Sequence, residues 1–103
     1  MQKISVCEEK VMLAIWQCKS EATYKEVQAK VEADFGDRWK GETVCSFINR
    51  LKKKGYITTN KRGRYTYYEA VVNFEEYRRM KVDEMIQNLY DGDKLKIVED
   101  LTR

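Results

Sequence analysis

A chain of 103 residues, 43% hydrophobic and 36% charged, can build one small core but not a large buried interior. It contains no histidine, which removes the commonest general base and the commonest transition-metal ligand, so neither an enzyme nor a metal or other cofactor is expected. The net charge of +3 conceals a segregation: residues 44–68 carry seven Lys and Arg and no Asp or Glu, between flanks that are each slightly acidic, and such a patch is the footprint of a polyanion ligand.

No apolar run approaches a membrane span or a signal-peptide core, which predicts a cytoplasmic protein with no membrane partner. Cys7, Cys18 and Cys45 form neither a CxxC pair nor a secreted disulfide framework and read as reduced thiols.

In chain order, Ser5 with Glu8 three residues on has capping-box spacing, and Val11, Met12, Ile15 and Trp16 recur at helical intervals. Thr23 and Glu26 repeat the cap, with Tyr24, Val27, Val31 and Phe35 as the apolar stripe and Gly36 placed to end the helix. Trp39 falls in a turn or a very short strand. A third helix is predicted from Glu42 or Thr43, buried through Val44, Phe47, Ile48 and Leu51 and stopped by Gly55. Its other face carries Thr43, Ser46, Arg50 and Lys53; Thr43 can equally serve as the helix cap, and Arg50 can pair with a carboxylate of the second helix. Tyr56–Thr59 and Tyr65–Glu69 then read as a β-hairpin around the turn "NKRG", with a basic tip.

Asn73 caps a fourth helix with Glu75 and Glu76 in its first turn, and "DGD" separates it from a short fifth. The chain is therefore expected to be mainly α with a small β-hairpin wing, a winged helix-turn-helix over residues 1–72 followed by helical dimerisation elements over 73–103. Thr43, Ser46, Asn49, Arg50, Lys53 and Lys54 on the reading helix, with Lys61, Arg62 and Arg64 on the wing, are the candidate contacts to double-stranded DNA. Tyr77, Met80, Met85, Ile86, Leu89, Leu95, Val98 and Leu101 leave apolar stripes that a symmetric partner would cover, which predicts a homodimer.

The blocks "EEKVMLAIW", "TVCSFINRLKKKGYI" and "GRYTYYEAVV" together resemble the penicillinase-repressor, or BlaI/MecI/CopY, family of bacterial transcription regulators. The resemblance implies a homodimeric, sequence-specific repressor bound to a dyad-symmetric operator of resistance or stress-response genes. It places Thr43 and Ser46 at the small hydroxyl positions of the family's reading helix and Arg50 at the arginine of its "RL" pair. Family members that respond to β-lactams are inactivated by a protease beside an Asn-Phe step, which corresponds here to Asn88 and Leu89. Cys45 stands where a longer polar residue is expected, and Glu42 sets a negative charge beside the groove. No cysteine-rich tail is present in the sequence for copper sensing. The alternative reading is a winged-helix protein-interaction module whose basic face binds an acidic partner protein, and hydroxyls followed by arginine suit DNA better than the aromatic anchors such an interface uses. A thiol sensor built on Cys45 is a third reading, and no resolving cysteine lies near it in sequence.

Overall fold

The computed structural model describes all of residues 1–103. Its elements run α1 (Val6–Gln17), β1 (Glu21–Ala22), α2 (Tyr24–Phe35), α3 (Gly41–Lys53), β2 (Ile57–Arg62), β3 (Tyr65–Ala70), α4 (Phe74–Tyr90) and α5 (Lys94–Leu101). They divide into two compact units, Met1–Val72 and Asn73–Arg103.

In the first unit both predicted capping boxes close. The Ser5 hydroxyl accepts from the Glu8 amide while Glu8 Oε1 accepts from the Ser5 amide, and Thr23 and Glu26 make the same reciprocal pair at α2. Four orphan amides are thereby satisfied at two helix starts. Val11, Met12 and Ile15 of α1, Val27 and Val31 of α2 and Val44, Ile48 and Leu51 of α3 form the core, completed by Tyr56 and Ile57. Tyr24 and Phe35, expected in the α2 stripe, stand at the helix ends and stay substantially exposed; the Lys10 ammonium lies 5.2 Å from the Phe35 ring centre. Gly36 ends α2 at φ +76°, a conformation that a side chain would strain.

The sheet has the order β1-β3-β2 and is antiparallel throughout. The short first strand, Glu21 opposite Glu69 and Ala22 opposite Tyr68, has no counterpart in the sequence reading. The hairpin is also longer than expected. Asn60, Lys61 and Arg62 belong to β2, with Lys61 opposite Thr66 and Arg62 opposite Tyr65, so the turn is Gly63-Arg64 and not "NKRG". Asn60, opposite Tyr67 in the ladder, also donates from its Nδ2 to Glu69 Oε1 at 2.9 Å. Gly63 takes φ +64° at the first turn position.

In the second unit, Asn73 Oδ1 accepts from the Glu75 amide at 2.7 Å and starts α4. Asp91 and Gly92, both left-handed, reverse the chain, and Asp93 caps α5. The Tyr90 hydroxyl donates to Asp100 Oδ2 at 2.6 Å, tying the end of α4 to α5.

Candidate nucleic-acid interface

Helix α3 begins at Gly41, earlier than the start at Glu42 or Thr43 that the sequence predicts. Lys40 is the cap residue and makes no side-chain capping bond, so Thr43 lies inside the first turn and is not the cap. Gly41 explains the start: a Cβ there would come within 3.2 Å of Tyr24 Cε2, so its lack of a side chain lets α3 begin hard against the first ring of α2. Trp39, in an irregular segment, is half-buried and packs on Phe47 with ring centres 4.9 Å apart, and its carbonyl accepts from Gln28 Nε2. These contacts seat one side of α3 while Val44, Ile48 and Leu51 bury its inner face.

At roughly 100° per residue the opposite direction belongs to Glu42, Ser46, Asn49, Arg50 and Lys53, and all five are exposed. Thr43 is half-buried at the edge of that face. Arg50 forms no ion pair with α2; its guanidinium lies 5.8 Å from the Phe47 ring centre and the residue is exposed.

Two cations of the predicted set are engaged elsewhere. Lys54 Nζ donates to Glu8 Oε1 at 2.9 Å, and Glu8 is 2% exposed, so Lys54 belongs to the packing of α1 on α3 and is withdrawn from the outer face. Arg62 is not at the tip: it stands in β2, 2.8 Å from Glu21 Oε2 and with its guanidinium 3.9 Å from the Tyr67 ring centre. The Glu21 carboxylate, accepting from it, is the main cause that raises the already high Arg62 pKa. Lys61, also a strand residue, and Arg64, in the turn, are exposed and unpaired. The free cations of the basic segment are therefore Arg50, Lys52, Lys53, Lys61 and Arg64.

Between the start of α2, the flank of α3 and β3 lies a cleft of about 430 Å³, its walls including Tyr24, Cys45, Tyr65 and Tyr68 with Lys25 and Arg64 at the rim. Burial pushes the Tyr68 hydroxyl above the usual phenol range, and the neighbouring Cys45 and Tyr24 add to this. Tyr65 is 58% exposed and Tyr68 half-buried.

In the second unit the apolar stripes divide. Tyr77 and Ile86 are buried and Met80 is half-buried within a single chain, so they are not free for a partner as expected. Met85, Leu89, Leu95, Val98 and Leu101 remain exposed, joined by Val82, which the sequence reading missed. Val82, Met85 and Leu89 recur at helical spacing and floor a groove of about 480 Å³ along α4. Asn88 and Leu89 are both exposed in the last turn of α4. No group of three or more acidic or cysteine side chains is placed to hold a metal ion, and no helix is long and apolar enough to cross a membrane.

The family model described as penicillinase repressor matches residues 4–103. The chain belongs to that family. The penicillinase repressor of Bacillus licheniformis is 28% identical over 90 residues, which span 87% of this chain and 68% of the relative. The solution structure of the monomeric form of Bacillus licheniformis BlaI in complex with the blaP half-operator superposes with a TM-score of 0.60 at 29% identity, covering 74% of this chain and 89% of that one. The CopR repressor structure matches with a TM-score of 0.54 at 30% identity, over 70% of this chain and 100% of the other. At 9% identity, the winged-helix protein F93 from STIV shares the fold alone, with a TM-score of 0.60 over 84% of this chain and 95% of that one.

Proposed function

We propose that this DNA-binding transcriptional repressor acts as a homodimer, each chain setting the exposed face of α3 into a major groove of a dyad-symmetric operator and Arg64 of the wing against the neighbouring backbone. The observation that carries the reading is the outer face of α3 itself. Ser46 stands in the N-terminal half of α3 and Asn49 just past its midpoint, and the unpaired Arg50 and Lys53 follow toward its C-terminus. A groove-inserted helix needs that order, because its N-terminal part meets base edges while its later turns meet phosphates. The apolar residues left uncovered on α4 and α5 supply the second chain's contact surface.

An inactivating protease would act at the Asn88-Leu89 step, where cutting the last turn of α4 severs α5 from the first half of that surface. The bond is helical, so the protease has to unwind the turn that ends at the left-handed Asp91 before it can bind an extended strand.

Selection of bound duplexes from a random pool, combined with sedimentation of the complex, tests the proposal. The expected result is a palindromic sequence carrying two chains. Recovery of no preferred sequence, or of an asymmetric site bound by one chain, overturns it.

A further inference from the structure

Glu42 is the last acidic residue before Glu69, and it stands on the outward face of α3. Glu42, Ser46, Asn49 and Lys53 follow one another at intervals of four, three and four residues, which places them in one line along the helix, directly opposite Val44, Ile48 and Leu51. No cation of the chain pairs with Glu42, and no hydrogen bond holds it.

An acid in a first helical turn is ordinarily explained by the helix dipole or by a capping box. At α1 and α2 the box is the explanation, since Glu8 and Glu26 both close one. At α3 it is not. Lys40 offers no side-chain cap, and Glu42 lies one position too early to complete the motif. An unpaired carboxylate at the front of a groove-facing stripe repels phosphate wherever the helix approaches DNA, so it weakens binding to every sequence that offers it no donor. In the major groove a carboxylate finds a donor in the exocyclic amine of cytosine, and Ser46 and Asn49, one and two turns further along, have the chemistry to read the adjoining bases.

We infer that Glu42 is a specificity-determining residue that accepts a hydrogen bond from the N4 amine of a cytosine in each half-site and penalises duplexes lacking one there. The inference rests on the DNA-reading role proposed for α3. It divides labour within the stripe: Glu42 discriminates by accepting, Asn49 by its two-sided amide, and Lys53 holds the register through a phosphate.

The test uses the full chain and a randomised duplex pool, with bound sequences recovered for the wild type, Glu42→Ala and Glu42→Gln. The wild type should show a cytosine preference at one position of each half-site. Glu42→Ala should reduce that preference about tenfold, which is the scale of one good base contact, and should bind random duplex more tightly than the wild type. Glu42→Gln should move the preference from cytosine toward adenine, whose N6 and N7 a glutamine amide can bridge. Helical content measured alongside checks that both variants are folded; loss of the weak dipole contribution of an exposed acid leaves it unchanged. If the Glu42→Ala and wild-type pools give the same sequence, Glu42 is not a reader and the inference falls while the repressor reading stands. A wild-type protein that selects no sequence at all removes both.

Discussion

Lys54 Nζ donates at 2.9 Å to Glu8 Oε1, the oxygen that also accepts from the Ser5 amide, while Glu8 Oε2 is buried with no hydrogen-bond partner. One carboxylate therefore closes the cap of α1 and anchors the C-terminal end of α3. Burial works to raise the Glu8 pKa, but the Ser5 amide and the Lys54 ammonium outweigh it and hold the group below the usual carboxylate value of 4.5.

Replacing Lys54 with Met leaves that carboxylate buried without its cation. Because Lys54 itself is partly exposed, the loss should be smaller than the several kcal/mol of a fully buried pair, about 2 kcal/mol at neutral pH. The sign of its pH dependence follows from the depressed pKa. Stability from the pair is fully present above 4.5 and is lost as the pH falls through the lower folded value, where Glu8 becomes neutral in the native state. Denaturant melts from pH 7 to pH 3 should show the wild-type and Lys54→Met curves converging in acid. Curves that stay parallel would separate Lys54 from Glu8 energetically. The salt dependence of DNA binding should be unaffected by the substitution.

Arg62 and Arg64 are two residues apart and should behave differently. A dimer engaging roughly 6–10 phosphates gives a slope of log K against log salt of about −5 to −9. Arg64→Gln should make this shallower by about one unit for each wing on DNA. Arg62→Gln should leave the slope alone, since its guanidinium is spent on Glu21 and Tyr67. An equal change from both would place Arg62 on the phosphates after all.

The features that were legible in the sequence are local. A Ser or Thr with Glu three residues later specifies its own hydrogen bonds, so the starts of α1 and α2 follow from four residues. The partners of the basic segment are not local. Lys54 meets an acid 46 residues away, and Arg62 is held by Glu21 of a two-residue strand that no periodicity can reveal. The same limit applies to the hairpin, where Asn60 meets Glu69 across the ladder and pairing continues through Arg62, leaving only Gly63 and Arg64 in the turn. On α3 the burial of Val44, Ile48 and Leu51 could be read from their spacing, and with it the opposite, outward face. The close approach of Tyr24 to Gly41, which sets where the helix begins, could not.

Arg50 is exposed, unpaired and one turn past Ser46, and its proposed contact is with the DNA backbone and not a base edge. Arg50→Ala should weaken operator and random duplex by similar factors, whereas Ser46→Gln should change which sequence is preferred. Competition titrations with both duplexes distinguish the two effects. Loss of operator binding alone in Arg50→Ala would reverse the assignment.

The exposed apolar residues of the second unit offer the sharpest separation of folding from assembly. Leu89 and Leu101 are 74% and 78% exposed in the single chain, so a charge at either place removes little buried area and should cost the monomer under about 0.5 kcal/mol. In a dimer that covers them, the same charge is desolvated against the partner's apolar side chains, and by symmetry it is introduced twice. Leu89→Asp combined with Leu101→Asp should therefore leave the thermal transition of the first unit intact while shifting sedimentation to the mass of one chain. The consequence for DNA follows from effective concentration. Once the two reading helices are no longer joined, the second half-site contact ceases to be intramolecular, and affinity for a palindrome should fall by roughly 10²–10⁴ with the half-site affinity unchanged. Cleavage at Asn88-Leu89 should produce the same pair of changes. A doubly substituted protein that still sediments as a dimer would move the assembly surface away from α4 and α5, and one that is monomeric yet binds the palindrome at full strength would show that the two half-sites are engaged independently.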